Sequence, residues 1–421
     1  MRALFFESVL CGKAAVCYNR NMENTEIRGI RKEKRILTAS DIHYLAPSLT
    51  DLGESYFRQV LSVDAKMTEA SPQIFSAFLK EAVRQEAAAL ILTGDLTFNG
   101  ERISLEEVCQ KLLSVQERGI SVFVLPGNHD IANQKAFCYR KDAVYPAESV
   151  SQKDFRRLCA AFGPEKAIAA DEHSFSYLAE IVPGLFLLAL DGNTEDAPGR
   201  IKAETLTWAD TQLAAVRRRE GTIISASHQS VLPQHIEIGE HFCLENHREV
   251  RDLLQKYQVR INLSGHVHMQ HTAQEAGLRD IATGGLTVGA QRFGVLVAAG
   301  AASAEKGLEQ SEKTALRYFF SSVRYGRKEA QARFNQQTEK QVRRTLMTTE
   351  STNSGLIETD RRQMTEFAVE MNFRYFSGSL DQKWLAQHKD AFSLWQTAGE
   401  GSFWQKYFQS IAAEINGTKM K

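Results

Sequence analysis

Short apolar runs ending in small or polar residues recur through much of this chain, and amphipathic stretches alternate with them. Residues 34–40, 88–93 and 121–125 are predicted as buried strands, because each carries an apolar stretch within strand length and ends at a polar motif. Between the first two, Ile74, Phe75, Phe78, Leu79, Ala82 and Val83 fall on one helical face. Ser71 is placed to cap that helix and Pro72 suits its first turn. Between the second and third strands, Ser104 and Glu107 have the spacing of a capping box, opening a helix that buries Leu105, Val108, Leu112 and Leu113. Later strands are predicted at 184–191, 222–227 and 259–264, helices at 207–219 and 246–257, and a closing hairpin from 293–298 and 315–325. This alternation predicts an α/β fold with its functional residues at the C-terminal ends of strands.

From residue 326 the texture changes. Charged helical sequence runs to residue 346, a Thr/Ser/Asn-rich loop is predicted at 347–355, and three aromatic amphipathic segments follow. The last places Trp404, Phe408, Ile411 and Ile415 near one face. Trp384, Trp395 and Trp404, three of the four tryptophans, fall in this region, which predicts a separate core. The expected organisation is an N-terminal extension (1–30), disordered or read from an upstream start with Met22 as the alternative; a catalytic domain (31–325); and an all-α C-terminal domain (326–421). The C-terminal domain's spare apolar face predicts docking on the catalytic domain or, alternatively, a homodimer.

The 51 basic and 51 acidic residues cancel, which argues against a global basic field and a nucleic-acid partner. Six scattered cysteines read as reduced thiols and support a cytoplasmic location. Glu7 interrupts the first apolar run, so the start is a poor signal peptide, although Val9-Leu10-Cys11-Gly12 leaves an exported or lipid-anchored form as a second reading. No run approaches the ~18 apolar residues of a membrane span.

Five motifs sit where strands end: Asp41-Ile42-His43, Gly94-Asp95-Leu96, Gly127-Asn128-His129-Asp130, His228 after Ser225-Ala226-Ser227, and Gly265-His266-Val267-His268. They supply two carboxylates, an amide oxygen and four imidazoles near a fifth histidine, an inventory for two first-row divalent metals sharing a carboxylate. An extended step would point Asp41 and His43 the same way around Ile42, and His266 and His268 around Val267. Gly265 leaves room for a close approach. Two divalent ions, both carboxylates and a bridging hydroxide leave a single positive charge, suited to a phosphodiester monoanion. His235, His241 and His247 fit no compact zinc pattern.

The order and wording of these motifs resemble the calcineurin-like metallophosphoesterase superfamily from about residue 34 to 294. The strings Ser40 to Leu45, Gly94 to Glu101 and Val124 to Ile131 are similar to bacterial class III cyclic nucleotide phosphodiesterases, some of which carry a C-terminal helical domain. The resemblance implies a four-layer α/β/β/α sandwich. It implies that Asp41, His43 and His268 hold one metal and that Asn128, His228 and His266 hold the other, with Asp95 bridging. His129 would then face the substrate as an acid or charge stabiliser, with Asp130 orienting it or capping the next helix. Ser227 and Gln229-Ser230 flank His228, where the superfamily often has a second histidine or a following proline.

The implied activity is a metal-dependent phosphodiesterase acting on cyclic nucleotides or related small phosphodiesters by attack of a shared hydroxide. The expected ions are manganese or iron, with cobalt or zinc as substitutes. A phosphomonoesterase or nucleotide-diphosphate hydrolase on the same site is the first alternative, and a non-catalytic scaffold the second. Tyr44 is read as a base-stacking or phosphate-contacting residue or as loop packing, and Asn99 as a substrate contact or a turn residue.

Overall fold

The computed structural model describes residues 26–28, 33–300, 313–348 and 356–417. The predicted extension up to residue 25 and residues 349–355 of the predicted loop lie outside them. Glu26–Arg28, inside the span expected to be disordered, is instead a strand pairing with Lys313–Ser322, whose edge would otherwise be unpaired.

Two mixed sheets form the larger, N-terminal part of the described residues. The first has the order Glu26–Arg28, Lys313–Ser322, Arg292–Gly300, Lys34–Ala39, Ala89–Leu92, Ser121–Val124, and its last three strands are parallel. In the second, Leu185–Ala189, Thr222–Ala226, Ile261–Ser264 and Leu278–Ala282 run parallel, with antiparallel strands at both edges. Ile36, Leu90 and Val122 of the first sheet share one buried cluster with Ile224, Ile261, Leu263 and Ile281 of the second. Helices Ser71–Arg84 and Arg102–Gln116 cover the first sheet; Ala203–Arg218 and His247–Lys256 cover the second through Ala209, Leu213, Val250 and Leu254. The result is the four-layer α/β/β/α sandwich.

The predicted caps are used differently. Ser71 lies inside its helix, where its Oγ accepts from the Leu45 amide (3.0 Å) and donates to the Thr68 carbonyl (2.8 Å). Ser104 accepts from the Ala46 amide (3.0 Å) and Glu107 from the Tyr44 hydroxyl (2.6 Å), so this pair ties down the loop after the first strand instead of boxing its own helix. Leu113 is exposed, and Val115 takes the core position.

The C-terminal region folds into helices Arg327–Thr348, Glu358–Phe376, Gln382–Gln387, Lys389–Thr397 and Phe403–Ile415. Its core, around Phe367, Met371, Trp395, Trp404 and Phe408, is continuous with Val267, Met269 and Ala282 in and beside the second sheet. Hydrogen bonds from the Gln270 amide to the Phe376 carbonyl (2.8 Å) and from Arg292 Nε to the Ser377 carbonyl (2.9 Å) add to the docking, with a His271–Glu414 contact at 2.7 Å. Among the described residues, no helix is long and apolar enough to cross a membrane.

Candidate metal centre

Pairing continues past the ends of the parallel strands. The Asp41 amide donates to the Gly94 carbonyl (3.1 Å), His43 to Asp95 (2.9 Å) and Tyr44 to Leu96 (3.0 Å), which sets two motif loops side by side. The expected extended geometry is not what aims the side chains. Asp41 (φ 53°), His43 (45°), Asp95 (50°), His266 (68°) and His268 (54°) all adopt the left-handed conformation. Each such non-glycine residue costs about 1 kcal/mol or more and persists only where neighbouring structure dictates it. Ile42 still faces the core. Gly127 and Gly265 make the close packing feasible: a Cβ on Gly127 would lie 2.1 Å from Asp95 Oδ1, and one on Gly265 would lie 1.7 Å from Ser40 Oγ.

The side chains converge in two groups that share one residue. Asp41, His43, Asp95 and His268 bring donor atoms within 4.8 Å of one another, and so do Asp95, His228 and His266. In the first, His43 Nε2 lies 3.1 Å from His268 Nε2 and 3.8 Å from Asp95 Oδ2, and His268 Nε2 lies 3.3 Å from Asp41 Oδ1. In the second, His228 Nε2 is 3.3 Å from Asp95 Oδ1 and 3.0 Å from Asn128 Oδ1. A hydrogen bond ties the loops of the two sheets together here, because the His266 amide donates to the Asp41 carboxylate (3.0 Å). Asp41, His43, Asp95 and His228 are buried, while Asn128, His129, His266 and His268 reach the open side.

This donor set fits two divalent cations. Lone pairs of facing imidazoles and buried carboxylates cannot all satisfy one another, and a cation between them relieves that. His43 Nδ1 has no hydrogen-bond partner, and its Nε2 is the atom turned into the cluster. Nitrogen and oxygen donors without thiolate suit first-row divalent ions. His228 Nδ1 lies 2.8 Å from the Thr93 carbonyl, which fixes its proton there and leaves Nε2 for a metal.

Burial, helped by the Lys66 charge, pushes His43 well below the ordinary imidazole value, and burial brings His266 down to about 4, so both rings are neutral. Burial also works against a charged His228, but the Asp95 carboxylate outweighs it and lifts that group to about 9. That raised value has a consequence for metal uptake. The second proton on His228 must leave before Nε2 can take a metal, so uptake below pH 9 releases it. Affinity for the second metal is expected to rise about tenfold per pH unit from pH 7 to about 9 and then level. Competition titration with a chelator measures this, and an affinity flat over that interval would remove His228 from the ligand set.

His129 stands beside the first group, its ring centroid 4.8 Å from that of His43. Its amide donates to Asp95 Oδ1 (2.9 Å), and its Nδ1 lies 2.6 Å from the Phe98 carbonyl and 3.0 Å from Asn99 Oδ1. Asn99 thus contacts His129 from a buried turn. Tyr44 is 1% exposed, with its hydroxyl given to Glu107, so it packs in the core and cannot stack on a base. Asp130 neither orients His129 nor caps a helix. It accepts from the amides of Leu96 (3.1 Å), Thr97 (2.8 Å) and Gly127 (2.8 Å), locking the Asp95 and Asn128 loops together, and burial with nearby Asp95 raises it to about 6.

Asp280 was missed in the sequence. It accepts from the Leu232 amide (2.9 Å), Ser264 Oγ (2.7 Å) and Asn262 Nδ2 (3.0 Å), bracing the His228 loop against the strand that leads to His266. The signal was a carboxylate flanked by Leu278 and Ile281 within the strand Leu278–Ala282. Phe242, another omission, is 40% exposed with its ring 5.6 Å from that of His266. His235 pairs with Ser410 Oγ (3.0 Å) and His247 with Glu240 (3.6 Å), so they do not form a further metal cluster with His241.

A family profile described as calcineurin-like phosphoesterase matches residues 34–270, and one described as the C-terminal domain of cyclic nucleotide phosphodiesterase matches residues 325–416. No curated protein matches the chain. Among solved structures, a dimetal phosphatase from Danio rerio is similar at 14% identity, covering 69% of this chain and 99% of its own, with a TM-score of 0.46. A purple acid phosphatase from yellow lupin (Lupinus luteus) seeds is similar at 15% identity, covering 71% of this chain and 55% of its own, with a TM-score of 0.40.

Proposed function

This chain belongs to the calcineurin-like phosphoesterase family, and from that premise we propose that it hydrolyses cyclic nucleotides or related small phosphodiesters with two divalent transition metals. Manganese or iron suit the donor set best, with cobalt or zinc as substitutes. The observation that carries the reading is the position of Asp95 in both donor groups. Asp41, His43 and His268 would hold one ion, Asn128, His228 and His266 the other, and Asp95 both. When bound, such a pair acidifies water and neutralises charge on the phosphoryl oxygens.

The chain's own contribution to bond cleavage is assigned to His129. Two acceptors, the Phe98 carbonyl and Asn99 Oδ1, surround its Nδ1 and keep a proton there. Its Nε2 is left to give a proton to the leaving oxygen as the phosphorus–oxygen bond breaks. Nucleotide substrates are supported by the C-terminal profile and by the half-exposed Phe242 beside His266, whose ring offers a face to a base.

Hydrolysis rates on 3′,5′- and 2′,3′-cyclic nucleotides, bis(4-nitrophenyl) phosphate, nucleoside diphosphates and phosphomonoesters test the reading. Cyclic nucleotides are expected to be preferred to monoesters. Phe242→Ala is expected to raise KM for them about tenfold, the order of one lost stacking contact, while sparing the aryl ester. Preference for a monoester or a diphosphate would refute the substrate class.

A further inference from the structure

After the first ligand pair the chain makes an excursion that returns to the site at Asp64, Lys66 and Met67. The Lys66 side chain is 13% exposed, and its Nζ donates to Asp64 Oδ2 at 2.8 Å. The Lys66 amide donates to Asp64 Oδ1 (2.9 Å), so one carboxylate fixes both ends of the residue. The next amide, Met67, donates to the Thr287 carbonyl (2.9 Å), and Thr287 Oγ1 donates to the carbonyl of the ligand Asp41 (3.4 Å). The Lys66 ammonium interacts electrostatically with the His43 ring, and Asp64 with that of His268.

The helical domain holds the same loop from outside. Arg333 donates to the Lys66 carbonyl (2.8 Å) and to both carboxylate oxygens of Glu69 (2.6 and 3.0 Å). Gln337 and Lys340 donate to the Ser62 carbonyl (3.4 and 3.3 Å).

Lysine is among the side chains least often taken out of water. Here it is withdrawn beside a cluster built to collect divalent cations, where another positive charge is repelled. Asp64 offsets one charge. An anion in the mouth of the site makes the rest of the arrangement favourable.

We propose that Lys66 is a substrate-binding residue whose ammonium takes a non-bridging phosphoryl oxygen on the His43–His268 side, held in place by Asp64 and by the Arg327–Thr348 helix. The inference rests on reading the cluster as a phosphoesterase centre. It also gives the helical domain, which contributes none of the proposed metal ligands, a part in substrate binding.

The test is calorimetric binding of inorganic phosphate to full-length, metal-loaded protein, with metal content measured and bis(4-nitrophenyl) phosphate hydrolysis followed in parallel. Lys66→Met is expected to keep its metals and to bind phosphate about ten- to a hundredfold more weakly, the range for one charge-assisted hydrogen bond. Its KM should rise in step, and Lys66→Arg should recover much of the loss. Arg333→Met should show a smaller loss of the same kind. Phosphate affinity unchanged in Lys66→Met, loss of metal from that variant, or no phosphate binding by the wild type would each overturn the proposal. Wild type that binds phosphate through Lys66 yet hydrolyses no phosphodiester would refute the substrate reading and leave this one standing.

Discussion

Asp95→Ala is expected to abolish turnover, by about 10⁴-fold or more, and to leave the protein unable to hold two metals. Its two oxygens face different partners: Oδ1 lies 3.3 Å from His228 Nε2 and Oδ2 lies 3.8 Å from His43 Nε2. Removing the side chain therefore takes a donor from both groups at once, whereas Asp41→Ala removes a donor from one. Neighbouring imidazoles hold Asp95 well below the usual carboxylate range against the opposing effect of burial, so it is ionised and ready to bind. Asp95→Asn is the sharper control, since its amide oxygen can still accept from the His129 amide while the negative charge is lost. It should fold normally, retain at most one metal and remain inactive. Near-normal turnover in either variant, with metal content measured on the same sample, would dismiss Asp95 as the bridge.

His129→Ala is expected to lower kcat by about 10²–10⁴-fold with both metals retained. Metal retention follows from geometry, because His129 reaches Asp95 only through its backbone amide, which alanine keeps. The loss should shrink for nitrophenolate, which leaves with little protonation, and be largest for a nucleoside alkoxide. An equal loss on both would assign His129 to stabilising phosphoryl charge instead of donating a proton. Asn99→Ala, which removes one of the two acceptors at Nδ1, should move activity the same way by a smaller factor.

Strand ends were legible because each is an apolar run stopped by a motif, and the structure gathers the motif residues there. The left-handed backbone at Asp41, His43, Asp95, His266 and His268 was not legible. An apolar–polar alternation looks the same for an extended step and for one bent by long-range pairing. Ser71, Ser104 and Glu107 were recognised as hydrogen-bonding positions, but local spacing cannot say that their partners lie in the loop at Tyr44–Ala46. Tyr44 misled for a related reason: a tyrosine after a ligand reads as exposed until its hydroxyl finds a buried partner. Asp280 and Lys66 are placed by contacts distant in sequence, Asp280 with Leu232 and Ser264, and the Lys66 carbonyl with Arg333. Neither lies in a motif.

Two metals held by Asp95 in common are expected to be required for phosphodiester hydrolysis. Titrating the metal-depleted full-length protein with manganese, while following hydrolysis of a cyclic nucleotide, tests it most directly. Saturation is expected at two ions per chain, with turnover absent at the start and reaching its maximum as the second site fills. Turnover by the metal-free protein, or saturation at one ion with full activity, would contradict it.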